Sequence, residues 1–219
     1  MKFLIAAMFL LLYGSTFSQD PWKNIYSHQA WEKRDQWQKP DELIRFLKVS
    51  SGSHVADIGS HEGYMTFKLA KTVGASGSVY AVDVDGAKLA KLEKYATENR
   101  VSQIKTIKGD YDNPKLPSNT VDAVIILDTY HEMDDHDKIL QHVKNALRSG
   151  GRLVICDPIA DERRKLSRSE QERKHELAMP FAVGDLTKAG FKIVYKKDPY
   201  IDRTKEKGDK MWVLVGEKE

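Results

Sequence analysis

The chain has 219 residues, 41% of them hydrophobic and 31% charged, with a formal charge of +3. That composition excludes a disordered chain and fits one globular domain whose core is large enough to fold without disulfides. The positive charges are scattered rather than gathered into a block, so charge gives no reason to expect nucleic acid as a partner.

Residues 1–18 have the pattern of a secretory signal: Lys2, an apolar run from Phe3 to Tyr13, then small residues in Thr16-Phe17-Ser18. Export to a periplasmic or extracellular compartment with cleavage after Ser18 is expected, and an N-terminal membrane anchor is the alternative. The apolar run is short for a bilayer, so no stable membrane span is expected. Residues 19–40 hold Trp22, Trp31 and Trp37 among charges and read as a helical cap on a domain that occupies 41–219. Pro40-Asp41-Glu42 opens a helix with the residues that a first turn favours.

Strand and helix patterns then alternate. Val55 to Ile58 is a short buried strand, Tyr64 to Val73 a helix, Ser78 to Val82 a strand and Gly86 to Asn99 a helix. A strand from Ile104 to Lys108 and a proline-containing loop from Tyr111 to Asn119 precede the strongly apolar strand Val121 to Leu127. A helix from Asp135 to Arg148 is expected to end at Gly150-Gly151, ahead of the strand Arg152 to Cys156. Cys156, the one cysteine, sits in that apolar run and reads as a core residue. Phe191 to Lys196 and Met211 to Val215 are strands joined by a charged stretch without helical pattern, which predicts a closing antiparallel hairpin. Such alternation specifies a doubly wound, Rossmann-like α/β fold with a mainly parallel sheet and helices on both faces.

Ligands of such folds bind beyond the carboxyl ends of the strands. The first turn reads Asp57-Ile58-Gly59-Ser60-His61-Glu62-Gly63, and Gly59 and Gly63 allow a sharp turn and close approach of a ligand. It departs from the dinucleotide fingerprint by placing an acid at the strand end, which repels pyrophosphate but suits a cationic amine. Asp83 and Val84 follow the second strand, where an acid can hold the hydroxyls of a ribose; Asp110 and Tyr111 follow the third, placed for an adenine ring. Amine, ribose and adenine without pyrophosphate describe S-adenosylmethionine.

The segments Val55-Ala56-Asp57-Ile58-Gly59, Tyr80-Ala81-Val82-Asp83, Gly109-Asp110, Val121-Asp122-Ala123-Val124 and Leu147 to Leu153 resemble, in order, the motifs of class I methyltransferases. The resemblance covers roughly Asp41 to Val215. It implies a seven-stranded sheet with a reversed last strand and S-adenosylmethionine as cosubstrate. His61 is a departure, standing where such families usually have glycine. The expected cofactor residues are Asp57, Gly59, Ser60, His61, Gly63, Asp83, Val84, Asp110, Tyr111 and Asp128.

Methyl transfer from a sulfonium needs an aligned acceptor more than catalytic side chains, and a base only where the acceptor must lose a proton. His131, after the fourth strand, is the base candidate, and shaping of the loop is its other reading. Asp128, Glu132, Asp134, Asp135, His136 and Asp137 invite a divalent-ion site, but Asp134, Asp135 and Asp137 more simply start a helix, and no metal is expected. The polar stretch between Pro158 and Pro180 reads as a helical lid over the acceptor, with His175 and Met179 facing the pocket and Arg34 and Trp37 closing the opposite side. A small-molecule acceptor is expected. The competing functions are an exported S-adenosylmethionine-binding protein without turnover and a nicotinamide-dependent oxidoreductase, which the Asp57 turn disfavours.

Overall fold

The computed structural model describes residues 28–219, so the expected signal and the tryptophan at position 22 lie outside the described residues. The strands are β1 (His54–Ile58), β2 (Ser78–Asp83), β3 (Ile104–Lys108), β4 (Val121–Leu127), β5 (Leu147–Ile159), β6 (Lys192–Arg203) and β7 (Asp209–Glu217). The helices are α1 (Trp31–Gln38), α2 (Pro40–Leu47), α3 (Tyr64–Val73), α4 (Gly86–Glu98), α5 (His136–Ala146), α6 (Arg168–Glu172), α7 (Met179–Lys188) and α8 (Thr204–Lys207). One seven-stranded sheet runs in the order β3-β2-β1-β4-β5-β7-β6. The pairs among β1 to β5 are parallel, and β7 is antiparallel to both β5 and β6. This is the doubly wound sheet with a reversed last strand that the sequence implies.

Strand pleating decides which side chain enters which half of the core. In the central strand β4, Val124 and Ile126 pack with Ile139, Leu140 and Val143 of α5 and Leu186 of α7. Ala123, Ile125 and Leu127 face the other way, onto Leu43 and Leu47 of α2 and Met65, Leu69 and Val73 of α3. Both faces are covered, which is why β4 reads as a nearly continuous apolar run. Cys156 is a free, fully buried thiol in the second cluster, as its surroundings in the sequence suggest. Ahead of the sheet, α1 rests on an aromatic nest: Trp31 lies 5.4 Å from Phe67 and 5.8 Å from Tyr95, between ring centroids, and His28 stacks on Tyr95 at 3.8 Å.

The structure differs from the sequence expectation in three places. Helix α5 stops at Ala146 because Leu147 turns extended and pairs with Val121 of β4, so strand pairing overrides the helical pattern. Gly150-Gly151 consequently lies inside β5, where Gly150 takes φ +74°. The stretch 197–210 is not devoid of helix: β6 continues to Arg203 and the short α8 follows. The 158–180 segment is shorter in helix than expected, since β5 runs to Ile159 and only a 3-10 turn at Asp161–Arg163 and the five-residue α6 precede α7. Among the described residues, no helix is long and apolar enough to cross a membrane.

Candidate functional site

The turn after β1 is tied to the end of β2, because the amides of Gly59 and Ser60 both donate to the Val82 carbonyl, at 2.8 and 3.0 Å. Gly59 has φ +77°, and a Cβ there would stand 2.4 Å from the Thr129 side chain, so only glycine lets the β1 turn pass the turn after β4. Beside it, Asp57 is buried with Oδ2 accepting from the Thr66 hydroxyl at 2.6 Å. Burial pushes its carboxyl up to about 6, against the pull of the Thr66 hydrogen bond and the Arg34 charge.

Asp83, at the end of β2, accepts from the amide of His61 at 2.9 Å through Oδ2 and from the amide of Asp85 at 2.9 Å through Oδ1. It therefore holds the backbone of two loops. Asp110 follows β3, exposed and paired with Lys115 at 2.9 Å, next to Tyr111, which is 75% exposed. Arg34 reaches the same space from α1; its guanidinium lies 4.0 Å from the Tyr64 ring centroid and donates twice to Gln38 Oε1 at 3.1 Å.

These residues surround one cavity of about 350 Å³ at the carboxyl ends of β1, β2, β3 and β4. Every expected cofactor residue lines it except Gly63. Gly63 instead lets α3 start against α4: it takes φ +97°, and a Cβ there would press on Phe67 and Leu92. Arg34 is the wall residue that the sequence placed only loosely, whereas Trp37, His175 and Met179 do not line the cavity. Trp37 and Met179 pack against the two core clusters, which explains their absence from the wall.

Asp128 is held more tightly than a strand-end acid awaiting a ligand. Arg203 grips it with two hydrogen bonds of 2.8 and 3.0 Å, Lys207 adds a third at 3.1 Å, and Arg203 also pairs with Asp209. Burial alone would raise the Asp128 carboxyl, but Arg203 and Lys207 hold it well below the usual range. Both cations come from the charged stretch that joins the last two strands, so nothing in the composition separates them from surface lysines and arginines. Thr129 belongs to the segment after β4 that position alone points to, but its role depends on what faces Gly59, which spacing in the chain does not show.

His131 does not border the cavity. Its amide and Nδ1 both reach Asp157 Oδ2 at 3.0 Å, and Nε2 lies 3.2 Å from Glu132 Oε1. Asp157 also accepts from the amides of Thr129 and Tyr130, at 3.0 and 3.2 Å, and thereby fixes the whole turn. Burial works against the charged imidazole, but Asp157 and Glu132 together push it up to about 10. With both ring nitrogens occupied and a proton held, His131 is not placed as the general base of the sequence reading. The acidic group after β4 does not converge either: Asp135 caps α5, Asp137 pairs with Lys188, and His136 packs edge-on against Tyr130 at 4.7 Å.

A family model described as "Methyltransferase domain" matches residues 49–211. Among curated relatives, the ubiquinone/menaquinone biosynthesis C-methyltransferase UbiE of Pasteurella multocida (strain Pm70) is 30% identical over 122 residues, covering 54% of this chain and 46% of the relative. The aklanonic acid methyltransferase DauC of Streptomyces sp. (strain C5) is 28% identical over 117 residues, 53% of each chain. The chain spans about half the length of the curated relatives it matches. A solved structure of a SAM-dependent methyltransferase from Aquifex aeolicus shares the fold with a TM-score of 0.71 at 21% identity, covering 86% of this chain and 97% of that one. With the matched segment running from before β1 into β7, the chain belongs to the methyltransferase domain family, of the S-adenosylmethionine-dependent class I type.

Proposed function

We propose that the protein transfers the methyl group of S-adenosylmethionine to a small-molecule acceptor that enters the cavity beside Glu132 and Met133. The observation that carries this reading is the convergence of three strand-end acids, Asp57, Asp83 and Asp110, with Arg34 on one cavity. The donor set suits the ligand part by part. Asp57 and Arg34 match an amino-acid amine and carboxylate, Asp83 matches ribose hydroxyls, and Asp110 matches an adenine edge. Ser60 Oγ supports the fit, since it is buried on the wall with no hydrogen-bond partner among the described residues.

When bound, S-adenosylmethionine supplies an already activated methyl on sulfur. The chain's own residues then have to orient and exclude water. Asp83 locks His61 and the β1 turn, Asp157 locks the turn after β4, and Leu127, Met133 and Ile139 give the wall between them an apolar character. Met133 and Ile139 line the cavity together with Glu132, which suits an acceptor with an apolar body. The names of relatives favour a small acceptor: one methylates aklanonic acid, and a structural neighbour is a geranyl diphosphate C-methyltransferase.

Calorimetric titration with S-adenosylmethionine and S-adenosylhomocysteine tests the reading, followed by turnover on a panel of quinols, phenols and thiols. Micromolar binding that weakens in Asp83→Ala supports it. Absence of binding of either ligand to folded protein overturns it.

A further inference from the structure

Among the described residues, one group of histidines and carboxylates brings its ligand atoms together: His131, Glu132 and His175, all within 4.8 Å of one another. Glu132 Oε1 stands between the rings, 3.2 Å from His131 Nε2 and 2.6 Å from His175 Nδ1. Two imidazoles and one carboxylate around an ion at about 2.0 to 2.2 Å would sit roughly 3 to 3.5 Å apart, so small side-chain rotations bring this group into range. We infer that His131, Glu132 and His175 form a site for a divalent transition-metal ion, of the zinc, cobalt or nickel kind, next to the cavity wall that Glu132 lines.

The surroundings have the build of a metal site rather than of an incidental surface pair. His131 is buried, and its Nδ1 is taken by Asp157, itself fully buried. A carboxylate on the far nitrogen is the arrangement that orients a ligating histidine and leaves Nε2 to the ion. His175 comes from a different part of the chain, just past α6, and reaches Glu132 in the segment after β4 with Nδ1 at 2.6 Å. His175 and Glu132 are largely exposed, with 73% and 51% of their side-chain surface open, so an ion there keeps free positions for water or a substrate atom.

An ion held here takes the place of the protons that the two imidazoles share with Glu132. Nitrogen-rich ligation selects the borderline transition metals over magnesium and calcium, which prefer all-oxygen shells. Glu132 is the one residue of the three that also lines the cavity, so it links the ion site to the wall beside which the acceptor would enter. An acceptor hydroxyl or thiol bound to the ion would release its proton to solvent near neutral pH, without any side-chain base. This last consequence rests on the methyltransferase reading, whereas the ion site itself does not.

The test is titration of the full, tag-free chain with Zn²⁺ and with Co²⁺, following heat for the first and the visible absorption of cobalt for the second. One equivalent bound with low-micromolar or tighter affinity is expected, with a loss of at least about tenfold in His175→Ala and in Glu132→Gln. His175→Ala removes an exposed side chain, and an unchanged thermal midpoint in chelator separates loss of the site from loss of the fold. No saturable binding to folded wild-type protein, or equal affinity in wild type and both variants, overturns the inference. Neither readout requires S-adenosylmethionine, so failure of the metal site and failure of the methyl-transfer reading are told apart.

Discussion

Arg203, at the end of β6, clasps Asp128, just past the end of β4, through two hydrogen bonds of 2.8 and 3.0 Å in a place where the two side chains are 2% and 4% exposed. Planar guanidinium matches carboxylate in this two-pronged manner, and Lys207 and Asp209 balance the remaining charge. Removing one partner from such a buried set leaves the other uncompensated. Arg203→Ala is therefore expected to cost about 3 to 5 kcal/mol of stability, read by chemical denaturation, with Arg203→Lys recovering only part of it.

Asp83 bears on the cofactor both as a proposed ligand contact and as the holder of the His61 and Asp85 amides. Its removal should weaken S-adenosylmethionine by about 10- to 100-fold, the range expected for losing hydrogen bonds to a charged group, while the core is untouched. Titration calorimetry measures this directly, and Asp110→Ala, at an exposed site, should have the smaller effect.

Binding should also depend on acidity through Asp57. Its folded carboxyl titrates at about 6, above its ordinary value of 3.8, so the ligand-free fold favours the protonated form and loses relative stability as pH rises between those limits. A cationic amine reverses the preference, because only the carboxylate attracts it. The affinity for S-adenosylmethionine is expected to fall as pH drops below about 6, approaching tenfold per pH unit, and Asp57→Asn should lower the affinity and flatten the profile.

Gly59→Ala meets two obstacles: the left-handed backbone at φ +77° and three Thr129 atoms between 2.4 and 2.7 Å from the new methyl. Strain of about 1 to 3 kcal/mol from the first adds to a similar overpacking cost from the second. Thr129→Gly in the same chain should restore the packing part and leave the backbone part, which thermal denaturation of the wild type, the single and the double variant separates.

The sheet and the cofactor turn were legible in sequence because each rests on local signals: apolar runs, helix starts, and acids placed just past strand ends. Asp57, Gly59 and Asp83 could be picked out from neighbours in the chain. The clasp on Asp128 could not, since Arg203 and Lys207 lie 75 and 79 residues away and differ in composition from no other basic residue. For His131 the sequence leaves open a base or a residue that shapes the loop, and a distant contact bears on the choice. Its residue type suggests a base, but Asp157, at the far side of a crossover, decides its charge. Helix α5 was drawn too long because the pull of β4 on Leu147 is a contact between strands and has no trace in the helical period.

The place of β7 between β5 and β6 also sets an order of assembly on the ribosome. Among the described residues β6 pairs with β7 alone in the sheet, so it has no edge to join until β7 has been made. Arg203 and Lys207 ride on β6 and the helix after it, and Asp128 waits for both. Nascent chains halted before Asp209 would carry β1 to β4 with their acids in place but with Asp128 unneutralised beside the cavity. Capture on an S-adenosylhomocysteine resin should accordingly retain chains that include β7 and let halted ones pass, making ligand binding a mark of a closed hairpin.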